Sequence, residues 1–209
     1  KIGNHVYKET GLKNLCLAGG VALNCVANGR LLREGPFENI WIQPAAGDAG
    51  GALGAALIGW HKYHNKPRTA DDKTDSQKGS YLGPEFDENE IHLFIKSHNL
   101  TAKKYNDDEL IETVANLIDS EKVIGWFDGK MEFGPRALGS RTIIGDARSP
   151  KMQATMNIKI KFREGFRPFA PSVLYEKVSD FFEVEKSSPY MLLTADVKKE
   201  RRILMKNED

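Results

Sequence analysis

The sequence predicts an α/β fold in its first part and an α+β fold in its second. Two short apolar runs, Asn14–Ala18 and Asn39–Gln43, each precede a glycine-rich turn and then a helical pattern. Such strand–turn–helix alternation is typical of a parallel or mixed α/β sheet. Beyond a polar stretch, the helices and strands follow one another without that alternation. The 209 residues are enough for one large domain or two small ones.

The polar stretch, residues 62–80, contains almost no apolar residues and includes a proline and a glycine. This composition is typical of a linker. We therefore predict a first domain over 1–65, a linker over 66–80 and a second domain over 81–209. A surface insertion within a single domain is the alternative.

The second part begins with two helical patterns, at residues 87–99 and 107–121, and a strand at residues 122–127. Asp87 is the predicted cap of the first helix, because Glu90 follows three residues later as in a capping box. A third helix is predicted over residues 150–160. The run "FRPFAPSVL" predicts a loop that passes into a strand, and "PYMLLTADV" predicts a further strand.

Composition and charge narrow the class of function. The net charge of +1 gives no general attraction to nucleic acids or acidic membranes. An apolar run of about 18 residues, the length of a membrane span, is missing, as is a signal peptide. The two cysteines, Cys16 and Cys25, fit neither a disulfide framework nor a zinc spacing. These features predict a cytoplasmic protein without a membrane partner.

Two glycine turns follow the first two predicted strands. Gly19 and Gly20 form one turn, with Asn24 one helical turn further on, and Gly50 lies in the second turn. Glycine lets a ligand approach the backbone, and a helix amino terminus favours anions. Nucleotides bind where such turns meet at the carboxyl ends of neighbouring strands. The alternative is that the glycines only make tight turns.

Asp48 lies in the second glycine turn, at the start of a predicted helix. A carboxylate in this place commonly caps the helix. It can also bind a metal ion held near nucleotide phosphates. From the residues alone, the cap is the favoured role.

Positive charge is concentrated between Gly129 and Ala170, where nine Lys and Arg accompany three acids. The guanidinium fork of arginine matches phosphate and carboxylate oxygens. Two basic clusters therefore predict a polyanion pocket, with surface solubility as the alternative. The clusters consist of Lys130, Arg136 and Arg141, and of Lys161, Arg163 and Arg167.

Five stretches resemble one family, the O-carbamoyltransferases of the nodulation-protein (NodU-like) and antibiotic-biosynthesis type. They read "LCLAGGVALNCVANGRLL", "QPAAGDAGGALGAAL", "EFGPRALGSRTIIGDAR", "NIKIKFREGFRPFAPSVL" and "SPYMLLTADV". The resemblance implies the carboxy-terminal part of an actin/Hsp70/sugar-kinase-like (ribonuclease H-like) transferase domain. It also implies an α+β YrdC-like domain that follows.

The resemblance implies a two-step chemistry. The YrdC-like domain makes carbamoyl-adenylate from carbamoyl phosphate and ATP. The actin-like domain transfers the carbamoyl group to a hydroxyl of a sugar-like or secondary-metabolite acceptor, using a metal that is commonly iron, with Mg²⁺ open as the companion of ATP. Position by position, it implies catalytic roles for Lys130, Arg136 and Arg167, and phosphate binding by Arg141, Lys161 and Arg163. It implies nucleotide contacts at Gly19, Gly20, Asn24 and Gly50. It also implies metal binding by Asp48.

The chain lacks the His-x-x-x-His pair that the family carries among its other metal ligands. It also begins without methionine, so we expect a fragment that is inactive in complete transfer. Two other functions stay open: threonylcarbamoyl-adenylate chemistry for tRNA, and a non-catalytic module that binds anions or nucleic acids. The net charge and the lack of an aromatic stacking array argue against a nucleic-acid partner. The acceptor and the oligomeric state stay open.

Overall fold

The chain forms two compact units that are not continuous in sequence. The computed structural model describes residues 1–69, 71, 73–184 and 187–203. The first unit contains Lys1–Ser80, Phe133–Arg136 and the described residues from Ser172 onward; the second contains Tyr81–Glu132 and Ala137–Pro171. The predicted domain limits, 1–65 and 81–209 with a linker between them, stay a prediction. Ala70 and Asp72 of the predicted linker lie outside the described residues.

The first unit is built around two parallel strands, as the sequence predicts. Strand β1 pairs with β2 in a register that joins Asn14 to Asn39 and Leu17 to Ile42. The elements before residue 65 are, in order, α1 (Ile2–Thr10), β1 (Asn14–Leu17), a 3-10 turn (Gly20–Leu23), α2 (Cys25–Glu34), β2 (Asn39–Ile42), α3 (Asp48–Ile58) and a π turn (Gly59–Tyr63).

The core of the first unit joins the strand ends to a distant part of the chain. Ala22, Ile42, Ala46 and Leu192 form a buried cluster. The amide of the buried Asn28 donates to the carbonyls of Ala22 (2.8 Å) and Leu192 (3.1 Å). The glycine turns therefore rest on a packed base, because their neighbours Ala22 and Ala46 belong to this core.

The second unit combines helices with a two-stranded antiparallel sheet. Helices α4 (Glu88–Ser97) and α5 (Asp107–Asp119) both begin with a capping box, which confirms the predicted pairing of Asp87 with Glu90. Strand β3 (Ile124–Phe127) pairs with β4 (Arg141–Ile144), and Phe127 faces Arg141. Helix α6 (Met152–Thr155) continues into a π turn (Met156–Ile160).

Both strands predicted after residue 166 are wrong. The run 166–174 is irregular, and it is followed by a 3-10 turn (Tyr175–Lys177) and α7 (Val178–Phe181). The stretch 189–197 is a turn and extended chain with one bridge, between Phe182 and Val197. In the first run, Pro168 and Pro171 remove two N–H groups that a strand ladder requires.

The amino-terminal α1 and strand β4 were not predicted. A last 3-10 turn covers Lys199–Arg201. Within the part of the chain that the structure describes, each helix is too short or too polar to cross a bilayer.

Candidate functional site

The two glycine turns lie at the carboxyl ends of β1 and β2 and are hydrogen bonded to each other. The N–H of Gly19 donates to the carbonyl of Ala46 over 2.8 Å. Gly19 has a φ of +95°, which favours glycine. A Cβ on Gly50 would lie 2.1 Å from the carbonyl oxygen of Ala45. At these positions glycine is required by the backbone geometry, whatever ligand the turns bind.

Helix α2 begins later than the glycines. Residues 20–23 form a 3-10 turn, and Asn24 is the N-cap of α2. The Asn24 side-chain oxygen accepts from the N–H of Ala27 over 3.0 Å. A 3-10 turn therefore separates the two glycines from the α-helix, and Asn24 caps that helix with its own side chain. The nucleotide roles of these residues stay predictions.

Asp48 is not a helix cap. It is the first residue of α3, whose N-cap is Gly47, and that cap makes no side-chain hydrogen bond. The exposed carboxylate lies in the first helical turn, where the helix dipole favours negative charge. Among the described residues, no three His, Cys, Asp or Glu side chains are grouped as a metal site requires. One carboxylate supplies one ligand, so these residues alone do not fit a bound ion.

Residues Phe133–Arg136 belong to the first unit and pack against its turns. The N–H of Phe133 donates to the carbonyl of Ser80 over 2.6 Å. A Cβ on Gly134, which has a φ of +117°, would lie 3.1 Å from the Cβ of Ala45. The half-buried Arg136 donates through Nη2 to the carbonyl of Leu23 over 2.7 Å. The sequence pattern predicts Arg136 as part of the second domain and gives no sign of this contact.

Glu132 organises the loop that follows it in the second unit. Its side chain is almost fully buried. The carboxylate accepts from the backbone N–H groups of Leu138 (2.6 Å), Ser140 (2.9 Å) and Arg141 (3.0 Å). Burial alone would raise the pKa of Glu132, but these N–H groups favour the anion and hold its pKa below the usual value. Glu132 is thus a buried, ionised anchor.

The predicted phosphate ligands beside this anchor differ in their surroundings. Lys130 is exposed in the bend after β3. Arg141 is half-buried, and its Nη1 donates to the carbonyl of Glu132 over 2.9 Å. Glu132 therefore fixes both the backbone and the guanidinium of Arg141, whereas Lys130 projects from the surface.

The second basic cluster lies on one irregular loop, Lys161–Arg167, here called the basic loop. Lys161 and Arg167 are exposed, and Arg167 pairs through Nε with Glu164 over 2.9 Å. Arg163 is half-buried and donates through Nε to Oδ1 of Asn157 over 2.6 Å. The loop thus carries three cations within seven residues, and one of them is anchored to a buried amide.

Arg148 is one of the nine cations between Gly129 and Ala170, but it makes ion pairs with two acids. Its Nη2 lies 2.8 Å from Oδ2 of Asp146 and 2.6 Å from Oδ1 of Asp119. The hydrogen bonds from Arg148 hold the pKa of the Asp146 carboxyl below its usual value. Arg148 therefore pairs with acids of its own unit.

Glu132 and Asn157 were not singled out from the sequence. Both are polar residues between apolar neighbours: Met131 and Phe133 flank the acid, and Met156 and Ile158 flank the amide. A polar side chain in such a position is buried only when it is hydrogen bonded. That pattern was the available signal, and it indicates loop anchors in a basic region.

Comparison with known proteins connects these features to one family. The family model described as "Carbamoyltransferase N-terminus" matches residues 1–57, and the one described as "Carbamoyltransferase C-terminus" matches residues 115–207. The matched ranges include all residues that sequence analysis nominated for the site.

Curated relatives agree. The chain is 60% identical to the uncharacterized protein sll1178 of Synechocystis sp., over 97% of the chain and 33% of that protein. It is 44% identical to nodulation protein NolO of Bradyrhizobium diazoefficiens (86% of the chain, 32% of the relative). It is 33% identical to nodulation protein U of Rhizobium fredii (90% and 29%). The chain spans about one third of the length of these relatives, and it belongs to the carbamoyltransferase family.

Proposed function

We propose that the protein to which this chain belongs is an ATP-dependent O-carbamoyltransferase. The observation that carries the proposal is the basic loop: Lys161, Arg163 and Arg167 lie within seven residues, in a range that the carbamoyltransferase C-terminus model matches. Family membership supports carbamoyl transfer. The requirement for ATP, the carbamoyl-adenylate intermediate and the hydroxyl acceptor are parts of the proposal.

The proposed first step makes carbamoyl-adenylate. Water cleaves carbamoyl phosphate to carbamate and phosphate, an oxygen of carbamate attacks the α-phosphorus of ATP, and pyrophosphate leaves. Both substrates carry several negative charges. Preorganised cations that are already in place when charge develops lower the barrier to such a step. We assign this role to Lys130, Arg136 and Arg167, with Arg141, Lys161 and Arg163 as further phosphate ligands.

The first unit is proposed to bind the nucleotide of the intermediate. Its parallel strands end in two hydrogen-bonded glycine turns, each followed by a helix. This arrangement suits a nucleotide because glycines let a ligand approach the backbone, and N–H groups at the start of a helix such as α3 bind phosphates. We assign the contacts to Gly19, Gly20, Asn24 and Gly50. The finer fold assignments, actin-like and YrdC-like, rest on the family resemblance.

The second step would pass the carbamoyl carbon to the hydroxyl oxygen of the acceptor and release AMP. In the family this transfer uses a metal, commonly iron, which would supply Lewis acidity. Asp48 is the proposed ligand from this chain. A single carboxylate does not hold an ion by itself.

The test is carbamoyl-phosphate-dependent exchange of labelled pyrophosphate into ATP, measured with the full-length protein. We choose Lys130→Ala and Arg167→Ala because both side chains are exposed, so their loss leaves the fold intact. A charge-assisted hydrogen bond contributes about 1.5 to 3 kcal/mol. Each variant should therefore slow exchange by about 10- to 150-fold.

Lys104→Ala is the matched control, because it removes an exposed positive charge of the second unit that pairs with Glu88 outside both basic clusters. Its exchange rate should equal that of the unmodified protein. Exchange that is independent of carbamoyl phosphate, or equal in all variants, would refute the proposed function.

A further inference from the structure

Asn157 is one of the two most completely buried large side chains among the described residues, and all of its polar atoms face the basic loop. It lies in the π turn Met156–Ile160 that precedes the loop. Nδ2 donates to the carbonyls of Gly165 (3.1 Å) and Arg167 (2.8 Å). Oδ1 accepts from Nε of Arg163. A single side chain thus crosses the loop and touches three of its residues.

The two carbonyl contacts determine which way the amide is turned. Carbonyl oxygens accept hydrogen bonds only, so the NH2 group must face Gly165 and Arg167. The oxygen must then face Arg163, which can only donate. The orientation of Asn157 is therefore set by the loop backbone, and Arg163 meets an acceptor that is already in place.

Arg163 is restrained on several sides. Besides the 2.6 Å bond from Nε to Asn157, its guanidinium lies over the ring of Phe169, 4.9 Å from the centroid. Its backbone N–H donates to the carbonyl of Asn157 over 3.0 Å. Nε supplies one of the five guanidinium donors, and the terminal nitrogens carry the other four. The two terminal nitrogens are able to bind a phosphate bidentately in the end-on arrangement.

We infer that Asn157 is a positioning residue that orients the guanidinium of Arg163 for the phosphate oxygens of carbamoyl phosphate. The inference rests on the proposed function and adds to it a specific source of preorganisation. An arginine loses less entropy on binding when its rotamer is already fixed. The buried amide does this without adding a charge that would compete with the anion.

A purely structural Asn157 would hold the loop together and have no particular link to Arg163. The two roles differ in their coupling. When one residue acts through another, removing both weakens binding no more than removing the second alone. Independent roles give effects that multiply.

The experiment is a double-mutant cycle with inorganic phosphate as the probe, measured by calorimetric titration of the full-length protein. The variants are Asn157→Ala, Arg163→Ala and the double variant. We expect Asn157→Ala to weaken phosphate binding about tenfold and Arg163→Ala at least as much, as for a lost hydrogen bond to a charged group. The double variant should lie within about twofold of Arg163→Ala.

Gln153→Ala is the control on the same loop. Gln153 donates through Nε2 to the carbonyl of Arg167 over 3.1 Å, so it shares a partner with Asn157, but the bond does not involve Arg163. Its phosphate affinity should stay within about twofold of the unmodified protein, the size expected from one exposed neutral hydrogen bond.

Asn157→Asp covers the case in which the alanine variant does not fold. It has nearly the same shape, turns acceptors toward the two carbonyls and places a negative charge beside Arg163, so it too should weaken phosphate binding. Unchanged affinity in the foldable Asn157 variants, effects that multiply in the cycle, or no phosphate binding by the unmodified protein would each overturn the inference. Phosphate binding does not need turnover. If pyrophosphate exchange fails but the double-mutant cycle gives the expected phosphate affinities, the proposed function is refuted and the role of Asn157 is not.

Discussion

Replacement of Glu132 by glutamine tests whether a buried carboxylate shapes the loop that carries Arg141. The two side chains have nearly the same size, so Glu132→Gln leaves no cavity. It removes the charge and turns one acceptor oxygen into an NH2 group. That group would face backbone N–H donors, because the carboxylate of Glu132 accepts from the N–H groups of Leu138, Ser140 and Arg141.

The magnitude follows from these three hydrogen bonds. A bond to a charged group contributes about 1.5 to 3 kcal/mol, against about 0.5 to 1.5 for a neutral pair. Loss of charge at three bonds, with allowance for relaxation of the loop, gives about 2 to 3 kcal/mol of lost local stability. This equals about a 30- to 150-fold change in the equilibrium between closed and open loop.

The assay is native-state hydrogen exchange at the amides of Leu138, Ser140 and Arg141. Local opening controls exchange in such segments. Their protection should fall by the stated factor in Glu132→Gln, while the amides of α5 keep theirs. Glu88→Gln is the matched control: this exposed carboxylate pairs with Lys104 at the surface, and surface pairs contribute little.

Acid should reproduce the effect of the substitution. The pKa of Glu132 is lowered in the folded protein, so the unfolded chain binds its proton at higher pH. The stabilisation is therefore complete above the unfolded pKa of about 4.3 and is lost as the pH falls through the lower folded value. The difference between the unmodified protein and Glu132→Gln should shrink over this range. Equal protection of the three amides in both proteins at pH 7 would refute the anchoring role.

Two further predictions concern the glycine turns. Gly50→Ala should lower the melting temperature, because the added Cβ would lie 2.1 Å from the Ala45 carbonyl oxygen. Gly51→Ala on the same helix has open space and should raise helix stability by about 0.5 to 1 kcal/mol. Equal melting temperatures of the two variants would contradict the close approach at Gly50. Asn24→Ala should lower the free energy of unfolding in urea by about 1 kcal/mol, because α2 loses its cap, and Asn24→Ser should retain most of that stability. If the serine variant is as unstable as the alanine variant, capping is not the cause.

The sequence was sufficient where local pattern decides structure. The apolar runs predicted β1 and β2, since a short buried run between turn residues has few alternatives. The pairing of Asp87 with Glu90 predicted the start of α4, because a capping box depends on residues three apart in the chain. The recurring motifs also predicted the family, which the two family models confirm.

Local pattern failed where distant residues decide. The runs 166–174 and 189–197 have the apolar content of strands, but in the described structure neither pairs in a ladder with another segment, and the second makes one bridge, between Val197 and Phe182. From the residues alone, Asp48 was favoured as the cap of α3, yet Asp48 is the first residue of the helix and Gly47 is its N-cap. Both errors concern backbone hydrogen bonds, which depend on neighbours that one-dimensional spacing does not reveal.

By itself, the sequence determined the two strand–turn–helix segments, the concentration of positive charge between Gly129 and Ala170, and the carbamoyltransferase family. Each of these depends on residues that are close together in the chain. The tertiary structure decided which backbone and side-chain groups hold the nominated residues. Leu23 accepts from Arg136 across 113 positions, and the buried Glu132 and Asn157 arrange the loops that carry Arg141 and Arg163. The physical reason is that a hydrogen bond in a folded chain depends on distance in space, whereas residue type alone shows only what each side chain is able to donate or accept.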